Sequence, residues 1–374
     1  MHVGMGTGFA NSLGIDDARF IQEEFKQCLL AAELGFESVW ITEHHFSNYS
    51  MSPDPLMLLG HLSGRAPQLW LGTQVIVVPW HDPVRVAEQI VLLDHMSGGR
   101  ALIGFGRGLA RMEFEGLRVD QSKARELFDE TVGLVMNALE TGVIEGGTLA
   151  KIPRRELRPR PLRGLKGRAF CAAGSPASMQ SAARLGLGRM YINQPMTHAP
   201  APFGGHAAEQ DRARDHWLEA WLAAHPNETP PKSFVSNVVF VNESAEKAQL
   251  QARTYMANTF RSAVKHYELM GDHFKDIKGY EVYSALRLKP EDMDKVTEAN
   301  AATAVAGTPL QVLEKLAETK RDLDPQMMCP HLYTGGMPHE EAMANIRLFA
   351  KHCLAEVQSW PTTLTIGESL QAAA

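Results

Sequence analysis

Cysteine is scarce in this chain: four in 374 residues, at Cys28, Cys171, Cys329 and Cys353, with no C-x-x-C pair among them. Such spacing argues against a structural zinc site and against a disulfide framework, and it fits free thiols in a reducing cytoplasm. No apolar run approaches the roughly 20 residues that cross a bilayer. The Met1-His2-Val3-Gly4-Met5 start enters a strand-like run directly, without a basic region and a cleavage site, so secretion is not expected. Long Lys/Arg runs interleaved with aromatics are also missing, and the formal net charge is -6 with a pI near 6.2. No electrostatic footprint for nucleic acid is left. What remains is an ordinary globular balance, 44% hydrophobic and 21% charged, enough apolar material for a large core.

Hydrophobic period switches repeatedly between strand and helix, with Gly, Pro or a capping residue at each change. Strands are expected at Val3–Met5, Ser38–Thr42, Leu69–Val78, Ala101–Phe105, Ala169–Ala173, Met190–Asn193, Phe234–Val241 and Gln326–Leu332. Helices are expected between them, from Asp16 or Asp17 to Leu34, Pro53 to Leu62, Pro83 to Met96, Lys123 to Leu139, Pro176 to Leu185, Ala207 to Ala224, from near Ser244, from Pro309 to about Lys320, and from His339 to Val357. Eight strand-helix units in one chain predict an α/β fold, a (β/α)8 TIM barrel, spanning 1–360 as one domain with a tail at 361–374. Two stretches break the alternation: about 141–167, rich in Gly, Pro and Arg and read as an irregular crossover after strand four, and about 267–303, an insertion after strand seven. Long insertions of the second kind are often lids or subunit contacts.

Barrel enzymes work at the carboxyl ends of their strands, so the residues there carry the chemistry. After strand two stands Thr42-Glu43-His44-His45-Phe46, where imidazoles beside a carboxylate can accept a proton near neutral pH. A metal centre needs further ligands at strand ends; only His81 offers itself, and no metal is expected. After strand four, Gly104-Phe105-Gly106-Arg107-Gly108 allows close backbone approach and supplies a guanidinium for a phosphate, although a tight turn has the same residues. After strand five, Gly174-Ser175-Pro176-Ala177-Ser178-Met179 opens a helix whose free N–H groups and hydroxyls suit an anion, and an N-cap serves the same pattern. Together the two suggest one phosphate held from two sides.

These stretches resemble the bacterial luciferase-like family of flavin-dependent monooxygenases. The resemblance also rests on Ala32 to Trp40, Leu71-Gly72-Thr73, Pro79 with Asp82-Pro83-Val84-Arg85, Leu92 to Arg100 and Ala183-Arg184-Leu185-Gly186. It is continuous over about residues 1–195 and thinner beyond, where Gly307-Thr308-Pro309 and the His339-Glu340-Glu341-Ala342-Met343 helix fit the family's end. It implies reduced FMN, used as a co-substrate at the strand ends, in what is usually a dimer; a homodimer is expected here. By position, Arg107, Gly174, Ser175, Ser178 and Met179 would hold the phosphate, with Thr73, Gln74, Val75, Gly106 and Asn193 completing the flavin site. The resemblance also implies a non-proline cis peptide on strand three, at Gln74–Val75, and a catalytic His44 supported by His45.

The implied reaction forms a C4a-peroxyflavin from reduced FMN and O₂ and transfers one oxygen atom to a small or medium organic substrate. No second nucleotide motif is visible, so a separate flavin reductase is expected to supply the reduced flavin. Luciferases carry a cysteine where Gly106 stands and an aromatic near Ala110; this chain has neither, and light emission from a long-chain aldehyde is not expected. Two rival readings are a deazaflavin-dependent hydride-transfer enzyme and a flavin-binding partner subunit without turnover.

Overall fold

A computed structural model describes residues 1–173, 176–192, 207–231, 233–284 and 287–362. Its eight barrel strands are β1 His2–Thr7, β2 Ser38–Ile41, β3 Trp70–Val77, β4 Ala101–Gly106, β5 Ala169–Ala172, β6 Gly188–Ile192, β7 Phe234–Val241 and β8 Met327–His331. All pair in parallel, in the order β7-β8-β1-β2-β3-β4-β5-β6, and Met190 opposite Phe234 closes β6 onto β7. The connecting helices are α1 Asp17–Glu33, α2 Pro55–Arg65, α3 Pro83–Ser97, α4 Arg111–Leu117, α5 Ala124–Thr141, α6 Pro176–Arg184, α7 Ala207–Ala224, α8 Ala245–His266, α9 Met293–Ala301, α10 Pro309–Leu323 and α11 His339–Phe349.

Local chemistry starts α1 and α3 where the sequence puts them and α2 two residues later, at Pro55 and not Pro53. Asp16, Asp54 and Asp82 each accept an N–H of the first turn, and Pro55 and Pro83 follow the last two. Thr308 and Gln311 form a reciprocal capping box, the kind of contact worth about 1 kcal/mol per cap. Trp40, Leu102, Phe170, Met190, Phe234, Met327 and Cys329 pack together inside the barrel. Gly72 makes room for them, since a Cβ there would lie 2.2 Å from the Trp40 ring. The larger core joins the outer strand faces to the helices. Asp94 of α3 and Arg168, just before β5, form a fully buried pair through two parallel bonds of 2.8 and 3.1 Å. Removing one partner of such a pair costs about 3–5 kcal/mol. All four cysteines are free and buried.

Four local features differ from the sequence reading. The stretch after α5 is not irregular throughout: Val143–Gly146 and Ile152–Glu156 pair antiparallel, and the Glu130 carboxylate accepts the N–H groups of Thr148, Leu149 and Ala150 to hold the turn. Its second strand is mostly exposed and charged, so no alternating apolar pattern announces it. Helix α4 was not foreseen because its seven residues give too few turns for a period. Val305–Gly307, which the sequence places in no strand, is a short strand on Val239–Val241. The closing helix is interrupted by a π-helical turn at Ala350–Leu354. The insertion after α8 contains short 3-10 turns, a helical turn at Glu281–Ser284 and α9. The tail from 363 onward lies outside the described residues.

Candidate active site

Strand β2 ends at the rim, and the next residues turn their side chains in different directions. Glu43 points inward, its side chain wholly buried, and accepts from the Val77 N–H at 2.7 Å, His81 Nε2 at 2.6 Å and His45 Nε2 at 3.1 Å. Burial by itself raises this carboxyl, but the bonds from His45, His81 and Val77 outweigh it and leave Glu43 below the usual range. For His81 burial opposes the charged form, and the Glu43 carboxylate overcomes it, so His81 is raised. The neighbour expected to orient His44 thus serves His45 and His81 instead. His81, the sequence's one candidate metal partner, stands with Glu43 and not with His44.

His44 is oriented from another element. Its Nδ1 lies 3.1 Å from Oε1 of Glu113 on α4, and its Nε2 lies 3.4 Å from the Tyr267 hydroxyl at the end of α8. Glu113 is fully buried, and the same Oε1 accepts the His45 backbone N–H at 2.8 Å. Burial raises Glu113, yet His266 and His44 more than offset this and hold it down at about 2. The Glu113 carboxylate accepts from His44 Nδ1, which turns Nε2 toward the Tyr267 hydroxyl. His44 keeps 18% of its side chain exposed, enough for a reacting group to reach it. His266, lowered chiefly by burial, stacks on Tyr49 at 4.8 Å and pairs with Ser47 Oγ at 2.8 Å. His44, Glu113 and His266 bring three possible ligand atoms within 4.8 Å of one another, a grouping the sequence reading did not contain.

The anion side is built from β4, α5 and α6. Arg107 donates to the Gly279 carbonyl at 2.9 Å and lies 3.9 Å above the Tyr280 ring, so the insertion after α8 reaches back to it. Arg125 of α5, missed in the sequence because it sits in a plain helical pattern, donates to Ser178 Oγ at 2.7 Å. Burial first, then the like charge of Arg107, lowers Arg125. That donor set suits a phosphate. Gly174, Ser175 and Asn193 lie outside the described residues. The Met179 side chain is buried in the core between helices and barrel, which leaves its backbone to face a phosphate.

The strand-three residues divide similarly. Thr73 Oγ1 donates to the Gly104 carbonyl at 3.0 Å and accepts the Gly104 N–H at 2.9 Å, so its hydroxyl is spent joining β3 to β4. The Gln74–Val75 peptide is cis, as the resemblance implies. Val75 occupies the space beside Gly106, where an added Cβ would lie 2.2 Å from its Cγ2. Gln74 Oε1 is buried without a partner, an acceptor free for a ring N–H. The guanidinium pair, the serine and this open acceptor fit a flavin phosphate and its ring.

A parallel eight-stranded barrel with a histidine-carboxylate cluster at its rim has the architecture of a barrel oxidoreductase. The Luciferase-like monooxygenase family profile matches residues 1–324, and the chain belongs to that family. An alkanal monooxygenase alpha chain from Photorhabdus laumondii is 28% identical over 257 residues, 67% of this chain and 67% of that protein. An N-acetyl-S-alkylcysteine monooxygenase from Bacillus subtilis is 27% identical over 252 residues, 64% of this chain and 74% of that protein. With an uncharacterized Sinorhizobium fredii protein, 31% identical over 170 residues, the match spans about half of each chain, 45% here and 48% there. Among solved structures, a Streptomyces bottropensis monooxygenase shares the fold with a TM-score of 0.73 and 24% identity over 96% of this chain and 100% of that one. The oxygenating constituent of 3,6-diketocamphane monooxygenase from Pseudomonas putida, solved with FMN, has a TM-score of 0.70 and 16% identity over 94% and 97%. A coenzyme F420 dependent tetrahydromethanopterin reductase from Methanopyrus kandleri has a TM-score of 0.63 and 16% identity over 95% and 99%.

Proposed function

We propose that this protein binds reduced FMN, delivered by a separate reductase, and uses O₂ to oxygenate a small or medium organic substrate. One observation carries the reading: His44, its Nδ1 committed to the buried Glu113 carboxylate, stands at the same barrel rim as Arg107, Arg125 and Ser178. Bound reduced FMN supplies the electrons that activate oxygen. The chain supplies the rest. Arg107 and Arg125 hold the phosphate with Ser178, Gln74 offers its open acceptor to the ring, and Val75 beside Gly106 forms the wall behind it. His44 Nε2 takes or returns the proton of the reacting group, and His45 keeps Glu113 in place through its backbone N–H.

The decisive measurement supplies photoreduced FMN and ¹⁸O₂ with a panel of aldehydes, ketones and thioethers. One labelled oxygen should enter one product, and His44→Ala should lower product formation by about 10²–10⁴-fold while leaving FMN affinity unchanged. Equal turnover in His44→Ala removes that residue from the mechanism. Tight deazaflavin binding without oxygen incorporation turns the reading to hydride transfer.

The homodimer belongs to this proposal too. Met57 on α2 is 72% exposed, and Leu92 and Met96 on the adjacent α3 are each 50% exposed. Met96 lies across Gly60, one turn from Met57, so the three form a continuous apolar patch of the kind that a second copy covers.

A further inference from the structure

His44, Glu113 and His266 come from the loop after β2, from α4 and from the end of α8, so no local sequence pattern forces them together. Two of their facing distances match ligand spacing, His44 Nδ1 at 3.1 Å and His266 Nε2 at 3.4 Å from Glu113 Oε1, and all three ligand atoms lie within 4.8 Å of one another. Bonds of about 2.0–2.2 Å from a tetrahedral ion put neighbouring N and O ligands about 3.4 Å apart. Two buried atoms in this cluster have no hydrogen-bond partner, Glu113 Oε2 and His266 Nε2. The side chains carrying them are 0% and 1% exposed.

The hydrogen-bond accounting at His266 leaves Nε2 without a partner, 3.4 Å from Glu113 Oε1. Its Nδ1 pairs with Ser47 Oγ. If that hydroxyl accepts, Nε2 is a bare lone pair turned toward a carboxylate; if it donates, the Nε2–H misses the hydrogen-bond direction to Glu113. A cation between the groups satisfies the first arrangement, in which Nδ1–H donates to Ser47 and the Nε2 lone pair is open. Outer contacts already fix the candidate ligands as they do in metal sites: Ser47 on the far nitrogen of His266, Tyr49 stacked on its ring, and the His45 N–H on Glu113. Two imidazoles and one carboxylate suit a borderline divalent ion and not the hard Ca²⁺ or Mg²⁺.

We propose that His44 Nδ1, Glu113 and His266 Nε2 form a site for one divalent transition-metal ion of the zinc type, and that filling it withdraws His44 from proton handling. The ion takes the Nδ1 lone pair and the one proton held there moves to Nε2, so the ring stays neutral, Nε2 no longer offers a lone pair to a reacting group, and no oxidation state changes. Its fourth position is open to water. Only the inhibitory clause rests on the function proposed above; the binding site stands without it.

Co²⁺ is the probe. Chelator-treated protein titrated with CoCl₂ should develop visible d–d bands that saturate at one equivalent and are displaced by Zn²⁺. His266→Ala and Glu113→Gln should lose the bands, and Ser47→Ala should weaken binding by about 10–100-fold. His266→Cys, which keeps a ligand, should retain saturable bands with added thiolate charge transfer, so loss in the alanine variant is separated from misfolding; circular dichroism of each variant checks the fold. Absence of saturable bands in the wild type, or bands that persist in both His266→Ala and Glu113→Gln, overturns the site. Zn²⁺ should abolish oxygenation in step with displacement of Co²⁺ while FMN still binds. A filled site with full turnover overturns the inhibitory clause, and absent turnover in the metal-free protein bears on the proposed function alone.

Discussion

Two buried glutamates show how surroundings set a carboxyl group's charge. Glu113, ringed by histidines and a backbone N–H, is held at about 2, whereas Glu24 on α1 is pushed up to about 7 because burial outweighs its bonds to Thr7 and Gln27. The signs of their effects on stability are opposite. The depressed Glu113 contributes stability above pH 4.5 that is lost as pH falls toward 2. The raised Glu24 contributes stability that is complete below pH 4.5 and is lost as pH rises through about 7. The Glu24 shift, from 4.5 to about 7, corresponds to about 3 kcal/mol. Glu24→Gln should therefore flatten the decline in denaturant-derived stability between pH 5 and 8; a decline as steep as the wild type's would show that Glu24 is not its source. Neither residue was legible in the sequence. Glu24 stands among the residues of a helix beside an exposed Lys26, and Glu113 in a helix too short for its period to be seen.

At the scale of elements, the insertion after α8 is more ordered than its composition suggests. Tyr280 is fully buried, donates to the Gly108 carbonyl at 2.9 Å and carries Arg107 on its face, while Glu268 takes Arg111 through two bonds of 2.6 and 3.0 Å. A small aromatic core of Phe114, Phe260, Phe274 and Tyr280 lies beneath it. Tyr280→Ala should cost about 3–5 kcal/mol, the usual loss for a buried aromatic. Hydrogen exchange should accelerate through residues 267–284 and leave the barrel strands protected; acceleration spread evenly over the barrel would mean that the insertion does not open as a separate unit. Helices α1, α2 and α3 were legible because aspartate caps and first-turn prolines act within four residues. The 143–156 hairpin and the insertion were not, since tertiary partners, not period, stabilise them: Glu130 for the one, Arg107 and Arg111 for the other.

For the whole molecule, the apolar patch on α2 and α3 sets the expected assembly. Leu92→Glu with Met96→Glu places two charges where a partner would bury them, and sedimentation should show the wild type as a dimer and the double variant as a monomer with an unchanged far-ultraviolet spectrum. A wild type that sediments as a monomer removes the dimer from the proposal. Among the described residues no helix is long and apolar enough to cross a membrane.

The Glu43-His44-His45 turn, Arg107 and the eight barrel strands could be found by position alone, because alternating period and capping chemistry fix where strands end, and strand ends fix the rim. The pairing of those groups could not. Which carboxylate meets His44, that Arg125 joins Ser178, and that His266 and Tyr267 come to the same histidine depend on contacts between residues 53 to 223 positions apart, which no local pattern encodes. The sequence determined the barrel and the kinds of side chain on its rim. Only the tertiary structure decided which of them touch, because burial and hydrogen-bond geometry are properties of the packed chain.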